Sequence, residues 1–129
     1  MAIRSNTKAA LDAIRKYIDD ALYDYCHDVC YEHPEDVPTD FKGRCKLYYD
    51  EALSKHDWML RRGGTIQEVI EYDITAGSGA FDYYYDTQRA CLQGWLQQTD
   101  EEADRYSPDE VERMYLRLLS REIVKAARR

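Results

Sequence analysis

The sequence predicts an all-α protein, a compact bundle of four to five helices in a single domain over residues 1–129. Three observations carry this. Apolar residues recur at three- and four-residue steps, capping residues precede those stretches, and Gly or Pro stands where they stop. A chain of 129 residues with 44% hydrophobic content is one domain long and has material for a real core.

Helix one is expected to start after Ser5 or Thr7 and run to about Tyr31. Leu11, Ile14, Ile18, Ala21, Leu22, Tyr25 and Val29 make one apolar face, and Asp12, Asp19, Asp20, Asp24 and Asp28 fall largely elsewhere on the wheel. Pro34 and Pro38 break the chain in the acidic linker HPEDVP. Helix two is expected from Thr39 or Asp40, both good caps, to about Arg62, with Phe41, Cys45, Tyr48, Tyr49, Ala52, Leu53, Trp58, Met59 and Leu60 as its apolar set. Gly63 and Gly64 end it, and Arg61 and Arg62 in its last turn suit the helix dipole.

The segment TIQEVIEYDIT admits two readings. Thr65 with Glu68 forms a capping box for a short helix. Against it, Ile70, Tyr72 and Ile74 alternate with polar residues, and Phe81, Tyr83 and Tyr85 alternate again after Gly77, Ser78 and Gly79, which would make a short hairpin around residues 69–86. The helix is favoured. Helix four is expected from Tyr83 or Asp86 to Gln98, with Cys91, Leu92, Trp95 and Leu96 inward, and DEEADRY as a turn. The last helix has the clearest start: Ser107, Pro108 and Glu110 supply cap, first-turn proline and capping-box glutamate. Its stripe is Val111, Met114, Tyr115, Leu118, Leu119, Ile123 and Ala126.

Charge is unevenly spread over the net of -7. Residues 17–40 hold eight acids and no Lys or Arg, and residues 63–112 hold twelve acids against Arg89 and Arg105. Tyrosine outnumbers phenylalanine twelve to two. Tyrosines among carboxylates suit a basic protein partner, whereas an acidic surface repels nucleic-acid phosphates. Tyr83, Tyr84 and Tyr85 are consecutive and cannot all face one core, so at least one is expected at the surface beside Asp82 and Asp86. These five residues, with Asp19, Asp20, Asp24 and Asp28 as a second acidic strip, are the candidate partner-binding set. Tyr25, Tyr115 and Tyr48 are expected in the core.

The remaining motifs point less far. Cys26, Cys30, His33 and Cys45 have the donor types of a zinc site, but Cys45 lies too far along the chain for a repeated knuckle, and buried thiols explain them as well. No metal or other cofactor is assigned. His27, His33 and His56 are the candidate imidazole bases, and no nucleophile elbow, metalloprotease helix or other catalytic signature accompanies them, so the expectation is a protein that is not an enzyme. Arg61, Arg62, Gly63, Gly64 and Thr65 lack the lysine-serine ending of a phosphate loop. Arg113, Arg117, Arg121, Lys125 and Arg129 repeat every fourth position on the last helix. That stripe would contact phosphates in a nucleic-acid-binding accessory protein, the alternative function, or pair with an acidic face of a second copy in a homodimer. With no apolar run of about 18 residues and no signal-peptide pattern, no membrane span and a cytoplasmic location are expected.

From about Trp58 to Lys125 the chain resembles a loosely defined group of small accessory proteins from phages and conjugative elements of gut Firmicutes. The resemblance lies in FDYYYD, then QGWLQQTDEEADRYS, then a final helix carrying LLSREI. It implies a mobile-element protein that binds a host or rival component. Such neighbourhoods yield anti-defence proteins, anti-CRISPR inhibitors among them. On that implication the acidic tyrosine surface would occupy the basic groove of a nuclease effector. The alternating basic segments do not suit a full duplex mimic.

Overall fold

The computed structural model describes residues 7–76 and 79–128. The fold is all-helical, with seven helices and no strand among the described residues: α1 (Lys8–Val29), α2 (Phe41–Lys55), α3 (Asp57–Arg61), α4 (Ile66–Thr75), α5 (Tyr85–Trp95), α6 (Asp100–Ala103) and α7 (Pro108–Ala127). A short 3-10 turn, Pro34–Asp36, sits in the proline linker. The core of the bundle is helical as expected, but two short helices, α3 and α6, raise the number above four or five.

Caps set most boundaries. Thr7 accepts from the Ala10 N–H at 3.2 Å and opens α1, and Asp40 accepts from Gly43 at 2.7 Å and opens α2. Reciprocal capping boxes open α4 (Thr65 with Glu68), α6 (Thr99 with Glu102) and α7 (Ser107 with Glu110). Each box satisfies two otherwise unpaired backbone donors. The hairpin reading of residues 69–86 is thereby overturned where the chain is described; Gly77 and Ser78 lie outside the described residues.

Helix two does not run through to Arg62. It breaks at His56, which is drawn inward as the C-cap of α2 and the residue ahead of α3. Trp58, expected inward, is 46% exposed as a result. Gly63 then ends α3 at φ +91°, a conformation a side chain resists, and the Gly64 N–H reaches the Met59 carbonyl at 2.9 Å. Helix α5 stops at Trp95 rather than Gln98, because Gln97 turns to φ 52°. DEEADRY is not a plain turn, since Thr99 and Glu102 wind its first part into α6.

Helix α7 is the axis of the bundle and packs on α1, α2, α4 and α5. Its Tyr115, Leu119 and Ile123 are fully buried, as are Ile14, Ile18 and Leu22 of α1 and Tyr48 and Cys45 of α2. Tyr25 is half-buried and meets Tyr48 edge-on at 5.3 Å. Val29, expected inward, lies at the end of α1 and is exposed. No described helix is long and apolar enough to cross a membrane.

Candidate functional site

The stretch between α4 and α5 begins in the core and ends in solvent. Phe81 is buried, edge-on to Tyr48 at 5.6 Å and stacked with Tyr17 at 6.3 Å. The Tyr115 hydroxyl donates to the Asp82 carbonyl at 2.8 Å. That commits its single proton, so Tyr17 donates to the Tyr115 oxygen at 2.7 Å. Burial raises the Tyr17 phenol to about 12 and pushes Tyr115 up as well, so both stay protonated donors. One residue further, the side chains turn outward.

Tyr83, Tyr84 and Tyr85 all reach the surface, Tyr84 at 75% exposure. Tyr83 donates to the Glu112 carboxylate on α7. Partial burial and that carboxylate push its phenol up to about 12. Tyr84 is the N-cap residue of α5 in extended backbone, and its side chain makes no capping hydrogen bond. Asp86 lies in the first turn of α5, where the dipole favours a negative charge. Asp82 is exposed beside it.

The acidic strip of α1 divides. Asp19 is committed to Arg44 of α2 at 2.7 Å, and Asp20 to Lys16 at 2.9 Å. Asp24 and Asp28 are exposed and line, with Ala21, Tyr25 and Val29, a groove of about 360 Å³ closed by Gly79 and Ala80. That groove brings the two acidic stretches side by side: α1 forms one wall, and the chain entering the tyrosine cluster forms the other.

The four zinc-type donors do not converge. Cys26 and Cys45 are core thiols, raised by burial to about 11 and about 12, and Cys26 points to the Arg44 carbonyl. His33 faces Glu35 at 3.3 Å on the exposed 3-10 turn. All four cysteines are free. His27 lies over Tyr23, its ring 4.4 Å away.

His56 leads to a constellation that sequence reasoning missed. The buried Asp73 carboxylate accepts from Tyr48 at 2.7 Å, meets His56 Nε2 at 2.7 Å and takes Lys55 at 3.3 Å. Burial pushes the Asp73 carboxyl up, but the Tyr48 and His56 hydrogen bonds and the Lys55 charge outweigh it and hold it below the ordinary range. A signal was available: Ile66, Val69, Ile70, Asp73 and Ile74 share one face of α4, so Asp73 falls at an inward position. Lys55 and His56 come from the α2–α3 corner and Tyr48 from the middle of α2, so the cluster ties both to α4. Among the described residues no hydroxyl or thiol is hydrogen-bonded to the His56 ring.

No protein-family model, curated protein or solved structure matches this chain.

Proposed function

We propose that this protein works by binding rather than by catalysis, and that its acidic tyrosine face docks into a positively charged groove of a partner protein. The observation that carries the reading is Tyr84. It stands 75% exposed between Asp82 and Asp86, on a segment anchored two and three residues earlier by the Tyr115 hydroxyl and by Phe81. An aromatic presented on a fixed backbone loses little entropy on docking, which is what a binding anchor needs. The flanking carboxylates, with Asp24 and Asp28 across the groove, speed encounter and steer orientation. A groove that ordinarily takes nucleic acid offers the matching positive field. The resemblance to mobile-element proteins suits an inhibitor of a nuclease effector in a host defence system.

The test is a binding series on purified nuclease effectors by interferometry. Tyr84→Ala is expected to weaken binding by roughly thirtyfold or more, as loss of an anchor does. Asp82→Asn acts mainly on the association rate and costs about threefold. Equal, small effects at both positions would sink the reading.

A further inference from the structure

Two rows of charge of opposite sign lie on different helices with the same pitch, each paired only at one end, Asp20 with Lys16 at 2.9 Å and Lys125 with Glu122 at 3.9 Å. On α7, Arg113, Arg117 and Arg121 are exposed and have no ion-pair partner among the described residues, and Lys125 continues the row. On α1, Asp24 and Asp28 are likewise exposed and unpaired, and Asp20 begins the row. Residues four apart on a helix are spaced about 6 Å along its axis, so the rows match in step. Both are i, i+4 ridges, the kind that interlock when two helices cross at about 50°.

A third feature sets the register. Beside Arg113 and Arg117, Met114 and Tyr106 help form a groove of about 260 Å³. Its acid, Glu110, is folded back on the Ser107 N–H at 3.0 Å. Just past the end of α1, between Asp28 and Glu32, Tyr31 is 81% exposed, the most exposed large apolar side chain described. With the helices antiparallel, Tyr31 in the groove places Asp28 against Arg117, Asp24 against Arg121 and Asp20 against Lys125. This also sets the negative end of α1 against the positive end of α7.

We propose that the occupant of the α7 row is the α1 row of a second copy of this chain, with Tyr31 as the apolar anchor. Exposed ion pairs alone hold weakly, so the ring in the groove is required. The inference stands apart from the function proposed above, which rests on Tyr84. Its consequence for that reading is that self-association covers Asp24 and Asp28, two of the carboxylates that steer docking there.

Charge exchange tests it, read as mass by sedimentation at low salt. The wild type is expected to associate and to fall to monomer as salt shortens the screening length. R117E/R121E carries two acidic rows and D24K/D28K two basic ones, so each alone is expected to stay monomeric. Their equimolar mixture is expected to associate again, because each row then meets its opposite. Tyr31→Ala should weaken wild-type association by about tenfold or more. Circular dichroism confirms that these surface variants fold. The proposal is overturned by a monomeric wild type at 100 µM, by variants that associate like the wild type, or by a mixture that stays monomeric. Salt-dependent duplex DNA binding through Arg117 and Arg121, without self-association, would also overturn it.

Discussion

Replacing Asp73 by Asn leaves the volume of the site almost unchanged but removes its charge and turns one acceptor oxygen into a donor, so the cost reads the buried cluster. Asp73 is 2% exposed and receives Tyr48 and His56 at 2.7 Å each, with Lys55 at 3.3 Å. Hydrogen bonds to a charged group are worth about 1.5–3 kcal/mol each when buried. Lys55 is half in solvent and adds little. The two buried contacts then set an expected loss of about 3–5 kcal/mol, the range for breaking a buried pair. Urea denaturation followed by tryptophan fluorescence measures it as a fall in midpoint at constant slope. The pH dependence gives a second, signed reading. The Asp73 carboxyl is held below its ordinary range, so its contribution is complete above the unfolded-state value of about 3.9 and fades as pH falls through the folded value. The gap between wild type and Asp73→Asn should therefore close as the pH falls below the ordinary carboxylate range. A loss under about 0.5 kcal/mol, or a gap that widens as pH falls below about 4, refutes the reasoning.

Other perturbations read other parts of the molecule. Tyr48→Phe removes one donor while leaving His56 on the carboxylate, so its cost should be about 1–3 kcal/mol, smaller than that of Asp73→Asn and not additive with it in a double-mutant cycle. Gly63→Ala forces a side chain into φ +91° and should cost about 1–2 kcal/mol in thermal unfolding. Cys26 and Cys45, buried and raised to about 11 and about 12, should resist a thiol reagent at pH 8 until the protein unfolds. Fast labelling of either in the folded state would contradict their placement. Tyr115→Phe should cost about 1 kcal/mol and loosen the anchored segment, read as faster amide exchange around Asp82.

What could be read from the chain in advance follows from how local each feature is. The starts of α4 and α7 were legible because Thr65 with Glu68, and Ser107 with Pro108 and Glu110, act within one turn. The same logic covered Thr99 and Glu102, yet α6 escaped because Ala103 is its only buried residue and leaves no period to see. The break at His56 was hidden for the opposite reason. Apolar spacing continues from Phe41 to Leu60, and what stops the helix is the pull of Asp73, seventeen residues away. Trp58 followed that break outward, and Val29 is exposed because its helix ends there. Exposure of the tyrosine cluster was legible from three consecutive rings. Its anchoring was not, because Tyr17, Tyr48 and Tyr115 come from three different helices. Nor was the commitment of Asp19 to Arg44, a contact across the α1–α2 pair.

Displacement of nucleic acid from a partner groove reads the acidic tyrosine face most directly. A fluorescent oligonucleotide is bound in the basic groove of a purified nuclease effector, and the protein is titrated in. Wild type is expected to release the oligonucleotide, Tyr84→Ala to need at least about tenfold more protein, and Asp82→Asn to stay close to wild type. Binding to the effector with the oligonucleotide still in place, or equal displacement by Tyr84→Ala, would contradict this expectation.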